Sequence, residues 1–381
     1  MNKVLILTAS TGQGHNQAAD SLKHSFQKQG FQVEKYDILK DNNKLLNKFV
    51  VGGYELLVAK SPKVYGGIYN ITNFSKINLG LRPAFIHSQY KIYSFIKSFK
   101  PSAIIGTHPF SVNIISSLKK NKDINLPFIS IVTDFKAHYA YLSPYVDAYI
   151  TACEDTKDTM DNEIVPHTRV YPLGIPIKEE FFIKTSLKRE LLESTSTEDF
   201  FNILLMGGSM GVNNITHVLT ELLKNTHKLR ITVVCGNNRA LKKSLENRYE
   251  EYKKSITTAQ ITKKVHVFGF TNIIPSLMEL SDVIISKPGG LTISEALIKK
   301  LPMIFPFTIP GQETENAEFL AERGCAIYEP DITKLNEIID TIINNPAILN
   351  TIKDNIEDLS KFHSTNGIVN LTEALISAYK K

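Results

Sequence analysis

Ser286-Lys287-Pro288-Gly289-Gly290-Leu291-Thr292-Ile293-Ser294-Glu295-Ala296 is the stretch whose reading decides the fold. The apolar run at 283–285 predicts a buried strand, and Pro288-Gly289-Gly290 breaks it sharply. Leu291, Glu295, Ala296 and Leu297 then carry helical spacing, with Thr292 and Glu295 placed as a capping box. A strand, a glycine turn and a helix start together present unpaired N–H groups and a positive dipole to an anion. A second tight turn follows at Pro310-Gly311-Gln312-Glu313-Thr314-Glu315-Asn316-Ala317, rich in side chains able to bind hydroxyls. The pair predicts a phosphate near the first turn and a sugar near the second.

The same grammar runs through the rest of the chain. Residues 4–7 predict a strand, 8–14 a glycine loop, 16–29 a helix and 31–38 the next strand. This βαβ opening implies a parallel sheet with a right-handed crossover. Further strands are predicted at 103–106, 128–133, 148–151 and 169–171, and Pro172-Leu173-Gly174-Ile175-Pro176 has the composition of a linker. Beyond it the pattern restarts: strand 201–206, glycine loop 207–211, helix 212–225, strand 230–235, helix 239–252, strand 265–268 and helix 273–280. Strand 303–305 precedes the second turn, and the tail from Leu335 is helical. The fold class is therefore α/β, with two doubly wound, Rossmann-like domains facing a cleft. The boundaries expected are 1–176 for the first domain and 177–361 for the second. A helix over 362–381 is expected to return to the first.

Composition bounds the alternatives. A chain of 381 residues, 43% hydrophobic and 22% charged, is long enough for two cores and too apolar for disorder. No window approaches the uninterrupted apolar length of a membrane span, and Met1-Asn2-Lys3-Val4 opens a strand rather than a signal peptide. Cys153, Cys235 and Cys325 give neither a disulfide framework nor metal spacing, so a cytosolic compartment is expected. The net charge of +6 is concentrated. Residues 44–100 carry nine Lys/Arg against Glu55 alone, together with ten aromatic residues, which the glycines and prolines break into short helices or loops. That mixture suits an anionic membrane surface or nucleic acid, or else a solvated helical surface with its aromatics turned inward.

Several residues carry chemistry at this stage, each beside a plainer reading. Thr11-Gly12-Gln13-Gly14-His15 fails as a dinucleotide fingerprint, because Gln17 stands where a third glycine is needed. His15 at the mouth of that loop is a candidate general base, kept neutral by the helix dipole; the alternative is a histidine that caps or packs. Asp134, just past a strand end, could support His15 or bind an acceptor hydroxyl, or simply form an Asx turn. His108 and His138 also lie at strand ends, where structural roles are favoured. Gly207-Gly208-Ser209 suits a phosphate loop but lacks the Lys-Ser/Thr ending of an ATPase, and no Asp-x-Asp pair presents itself for a divalent cation. Glu295 reads as a capping residue or a ribose ligand, while Gln312, Glu313 and Asn316 read as sugar ligands or a polar first turn.

Taken in order, these pieces resemble the glycosyltransferases of the plant monogalactosyldiacylglycerol synthase and bacterial processive diacylglycerol glucosyltransferase family. They are more distantly similar to the transferase that adds N-acetylglucosamine to a lipid-linked muropeptide. The matching stretches are Gly12-Gln13-Gly14-His15, Thr133-Asp134-Phe135 with His138, Gly174-Ile175-Pro176-Ile177, Gly207-Gly208-Ser209, Ser286-Lys287-Pro288-Gly289-Gly290-Leu291-Thr292 with Glu295, and Pro310-Gly311-Gln312-Glu313 with Asn316-Ala317. The resemblance makes 1–176 the acceptor- and membrane-facing domain and 177–361 the nucleotide-sugar domain. The resemblance implies a GT-B fold and inverting transfer of a hexose, glucose foremost, from a UDP-sugar to diacylglycerol and onward to the glycolipid product, with no metal or other cofactor. It implies His15 as base, Ser209 and the Gly207-Gly208 amides on the diphosphate with Gly289-Gly290 nearby, and Phe270 by the uracil. It places Glu295 by the ribose and Gln312 and Glu313 by the sugar hydroxyls. The segment 44–100 then becomes a contact with anionic lipid on the inner face of the cell membrane, and nucleic acid is not expected. A related transferase with another lipid-linked or small-molecule acceptor, and a non-catalytic UDP-sugar sensor, are the alternatives. The chain departs from the family in Ser10-Thr11 before the first glycine motif, and in having Tyr139 and Tyr141 but no Trp after His138. Both departures fall on the acceptor side.

Overall fold

A computed structural model describes residues 1–10, 13–40, 86–184, 200–207, 212–256 and 262–381. Two all-parallel, six-stranded sheets organise them, as the sequence predicts. The first contains β1 (Lys3–Thr8), β2 (Gln32–Asp37), β3 (Ala103–Gly106), β4 (Phe128–Ile131), β5 (Ala148–Ile150) and β6 (Val170–Tyr171), in the order β2-β1-β3-β4-β5-β6. The second contains β7 (Phe201–Met206), β8 (Leu229–Val234), β9 (Lys263–Phe268), β10 (Val283–Ser286), β11 (Met303–Phe305) and β12 (Ala326–Tyr328), in the order β12-β11-β10-β7-β8-β9.

Both sheets are covered by helices on each face, which is why their central strands are apolar throughout. Alternation along β1 shows it directly. Val4 and Ile6 pack with Ala19, Leu22 and Phe26 of α1 (Gln13–Lys28). Leu5 and Leu7 pack on the other face with Ile92 and Ile96 of α2 (Ile86–Phe99) and with Val112 and Ile115 of α3 (Pro109–Lys120). The described end of the basic aromatic segment, beyond Pro83, is one helix of 14 residues, whose apolar positions keep a single helical stripe against the sheet. Residues 44–85 lie outside the described part.

A short helix, α4 (Glu154–Lys157), follows β5. The second half adds α5 (Val212–Lys224), α6 (Arg239–Ser255), α7 (Ile274–Glu279), α8 (Gly290–Ile298), α9 (Gln312–Glu322), α10 (Leu335–Asn344) and α11 (Ala347–Ser360). One of its cores crosses between the halves: Leu204, Ile284 and Phe305 share a buried cluster with Ala18, Phe135, Cys153 and Ile175.

The chain passes between the halves twice, and the two crossings touch. The Ser364 N–H donates to the Leu173 carbonyl at 2.8 Å. Gly174 sits at φ +81° with the His363 ring so close that a Cβ would come within 2.4 Å of it. Only glycine meets both conditions. The last helix, α12 (Thr365–Tyr379), then packs Ile368, Val369 and Ile376 into the core of the first sheet beside Val4, Ile6 and Phe26.

Candidate functional site

Each sheet reverses its winding once, and the two reversals face one another. In the first, β1 lies between β2 and β3; in the second, β7 lies between β10 and β8. Loops leaving the carboxyl ends of strands at such a point diverge and open a crevice. His15 follows β1 and Thr107 follows β3, while Gly207 follows β7 and Pro288-Gly289-Gly290 follows β10. Gly208, Ser209 and the first two residues of Thr11-Gly12-Gln13-Gly14 lie outside the described residues.

His15 stands in the first turn of α1, partly exposed, with its ring held from beneath. Its Nδ1 lies 2.7 Å from the Thr107 carbonyl oxygen and 3.1 Å from Thr133 Oγ1. A carbonyl can only accept, so Nδ1 carries the proton and Nε2 keeps its lone pair. Desolvation is the main reason the imidazole is pushed down to about 4, and the bond to Thr107 opposes it only in part. The helix dipole acts in the same direction. The Thr107 hydroxyl closes a second bond, donating to the His15 carbonyl at 3.1 Å. Thr133 Oγ1 in turn lies 2.9 Å from the buried Tyr141 hydroxyl. His108 meets the His15 ring edge-on at 4.6 Å between centroids, and its Nδ1 accepts from the Phe110 N–H to cap α3. His138 caps the short turn at Tyr139–Tyr141 in the same way.

Asp134 does not support His15. Its carboxylate accepts from the Gln312 amide and, at 3.3 Å, from Asn316 Nδ2, both on α9 of the other half. Burial raises the carboxyl to about 6; those hydrogen bonds oppose the rise, and Glu315 and Glu313 add to it. Asn316 is saturated by protein: it also donates to the Pro288 carbonyl at 3.1 Å and accepts from the Phe135 N–H at 2.9 Å. Three consecutive residues beyond β4 therefore join the two halves. Thr133 touches His15, Asp134 binds α9, and Phe135 lies in the shared core against Phe319. The predicted sugar ligands Gln312 and Asn316 accordingly appear as a clasp between halves.

The opening stretch departs from its predicted cap. Helix α8 starts at Gly290 with Gly289 as N-cap and no side-chain capping bond, so Thr292 and Glu295 form no capping box. Thr292 lies within the first turn rather than at the N-cap, where a capping box needs it. A Cβ at Gly290 would stand 2.0 Å from the Thr133 carbonyl oxygen, so the first residue of the helix has no room for a side chain. On the neighbouring side, a Cβ at Gly14 would sit 3.9 Å from Leu291 Cβ. Glu295, released from capping, is 8% exposed and has no hydrogen-bond partner among the described residues. Burial pushes its carboxyl up to about 8, with Lys178 opposing. Glu313 is engaged, bonded to Lys287 Nζ at 2.5 Å and to the Ile309 N–H at 3.0 Å. Phe270 leaves the end of β9 with 70% of its surface exposed. Among the described residues no group of three or more His, Cys, Asp or Glu could hold a metal ion. No described helix is long and apolar enough to cross a membrane.

The sequence singles out His15, Asp134, Gly290 and Glu295 but does not reveal Thr107 and Thr133 as the partners of His15, or Tyr141 behind Thr133. The strand-end position of Thr107-His108-Pro109 was the available signal, since β3 borders the winding reversal.

Known proteins match both halves of the chain. Residues 15–177 match the monogalactosyldiacylglycerol (MGDG) synthase family, and residues 202–365 match the glycosyltransferase family 28 C-terminal domain. A processive diacylglycerol beta-glucosyltransferase of Bacillus subtilis (strain 168) is 29% identical over 377 residues, spanning 96% of this chain and 94% of that one. Its namesake in Staphylococcus epidermidis is 26% identical over 372 residues, spanning 96% and 91%. Among solved structures, Acinetobacter baumannii MurG superposes with TM-score 0.62 at 17% identity, covering 98% of this chain and all (100%) of MurG. The UDP-GlcNAc 2-epimerase of Neisseria meningitidis superposes with TM-score 0.59 at 16% identity, covering 98% and 99%, so the shared architecture is GT-B. With both halves matched in order and the relatives spanning the whole chain, this is an enzyme of the glycosyltransferase family of monogalactosyldiacylglycerol synthases and processive diacylglycerol glucosyltransferases.

Proposed function

We propose that the enzyme transfers glucose from UDP-glucose to diacylglycerol with inversion, and then to the glycolipid product. The observation that carries the reading is the neutral His15, its Nε2 left open by the Nδ1–Thr107 bond, set opposite the amide-rich start of α8. In this reading Nε2 removes the proton of the acceptor hydroxyl as its oxygen attacks the anomeric carbon. The bond from that carbon to the diphosphate breaks, and its electron pair leaves with UDP. Helix-start N–H groups of the second half take up that charge, and Gly207, Gly208 and Ser209 have the role of holding the diphosphate. Glu295 receives the ribose and Phe270 stacks on the uracil. The choice of glucose, diacylglycerol and successive transfer follows the relatives, processive diacylglycerol beta-glucosyltransferases.

We place the acceptor on the first half, docked at the inner face of the cell membrane through residues 44–100. Their charge excess supports this, at about 1 kcal/mol per basic residue near an anionic surface. In α2 the side chain of Tyr90 is 70% exposed.

The test is UDP release with UDP-glucose against UDP-galactose, in vesicles with and without diacylglycerol, followed by product analysis. Release that depends on diacylglycerol and favours UDP-glucose, with mono- and diglucosyl products, is expected. Release without diacylglycerol, or sugar interconversion without an acceptor, overturns the reading. His15→Ala is expected to abolish transfer and leave UDP binding nearly unchanged.

A further inference from the structure

We infer that Thr133 is a positioning residue that ties the catalytic base to the donor-binding helix, so that His15 is aligned only when the two halves are closed upon each other. The inference rests on His15 acting as the base.

Thr133 presents opposite ends to the two halves. Its hydroxyl lies 3.1 Å from His15 Nδ1 and 2.9 Å from the Tyr141 hydroxyl. Its carbonyl oxygen is the atom that leaves no room for a side chain at Gly290, the first residue of α8. The residue is buried, 6% exposed, and is followed directly by Asp134 and Phe135, which are bonded into the second half. Movement of α8 therefore bears on the backbone of the residue whose side chain touches the base. Packed protein transmits such displacements because it has little free volume to absorb them.

The chemistry of the contact is specific. When Nε2 takes the acceptor proton, the ring becomes an imidazolium, and its charge falls partly on Nδ1–H. The acceptors facing that proton are the Thr107 carbonyl and Thr133 Oγ1, both neutral. Nearby titratable groups are His108 against the ring, Tyr141 behind Thr133, and Asp134, which is turned to Gln312 and Asn316. With no carboxylate on Nδ1 among the described residues, stabilisation of the imidazolium depends on how these two oxygens are placed. Losing the Thr133 oxygen lowers the basicity of His15 and frees its ring to rotate.

The experiment compares Thr133→Val, which keeps the shape without the hydroxyl, with Thr133→Ser, which keeps the hydroxyl. Wild-type enzyme, His15→Ala and Tyr141→Phe complete the set, and kcat, KM for UDP-sugar, UDP affinity and the pH profile of kcat/KM are measured. Thr133→Val is expected to lose about 10- to 100-fold in kcat, the scale of a misplaced catalytic group, with KM and UDP affinity within about twofold. Its acidic limb moves to lower pH. Thr133→Ser recovers most of the rate, and Tyr141→Phe loses less than Thr133→Val. A Thr133→Val enzyme with unchanged kcat and pH profile, beside an inactive His15→Ala, overturns the inference alone. An active His15→Ala overturns the reading of the base beneath it. If Thr133→Val fails to fold, the decision passes to Tyr141→Phe: an unchanged kcat and pH profile there also overturns the inference.

Discussion

The two sides of the cleft are built on opposite plans. On the first half, groups around the site are bonded to one another before any substrate arrives: His15 to Thr107 and Thr133, Thr133 to Tyr141, and His108 and His138 to the helix starts they cap. On the second half, groups away from the clasp are left over. Glu295 is buried without a hydrogen-bonded partner among the described residues, the start of α8 has no side-chain cap, and Phe270 faces solvent. A base must hold one tautomer and one orientation, which requires bonds made in advance. A nucleotide site keeps unsatisfied donors and an open aromatic face, because the ligand completes them. Where the plans meet, Asp134, Gln312 and Asn316 use their hydrogen bonds to hold one side against the other.

Substitutions can break this contrast, and the largest effect is expected at the contact itself. Gly290→Ala places a methyl group on the Thr133 carbonyl, so the halves are forced apart although alanine favours helix. Transfer should fall about 10²-fold while the overall helix content by circular dichroism is kept. Wild-type rates in that variant would mean the halves are not in register through this contact. Next is Glu295→Ala, expected to weaken UDP binding about tenfold in calorimetry, the equivalent of one hydrogen bond at about 1.4 kcal/mol. Phe270→Ala should weaken it about fivefold, from about 1 kcal/mol of stacking, and leave the pH profile of transfer alone. Arg323→Ala removes a bond to Asp155 across the halves at the periphery, where less than about 1 kcal/mol of stability and no change in turnover are expected.

Glu295 also sharpens the contrast through pH. Its carboxyl holds its proton to about 8 in the folded protein, against an ordinary value of 4.5. Between those values the unfolded chain binds fewer protons than the folded one, so rising pH favours unfolding. Glu295→Gln should therefore gain thermal stability over wild type progressively from about pH 5 to pH 8. A constant difference across that range would show that the carboxyl ionises normally.

The fold was legible because its signals are local. Apolar runs, glycine breaks and helical spacing each occupy a few consecutive residues, and their alternation leaves few topologies. The candidate site was legible only where chemistry coincided with such punctuation, as at Gly14-His15 and Gly289-Gly290. Its wiring was not. Asp134 and Gln312 are 178 positions apart, and nothing near either one indicates the other. The capping box failed because spacing does not fix where a helix starts: Thr292 and Glu295 have the right interval, but helix α8 begins at Gly290, already against a distant carbonyl. Backbone acceptors such as the Thr107 carbonyl are invisible in any motif, since every residue has one.

The return of α12 to the first sheet has a consequence for synthesis. A ribosome delivers the six strands of the first sheet early, but Ile368, Val369 and Ile376, which complete its core, emerge only after the entire second half. Until then the nascent first half carries an open apolar groove over α1 and β1, a surface that invites aggregation or chaperone capture. The two halves therefore mature together rather than in turn. A messenger truncated before residue 365 should yield a chain that is degraded, not an inactive enzyme that accumulates.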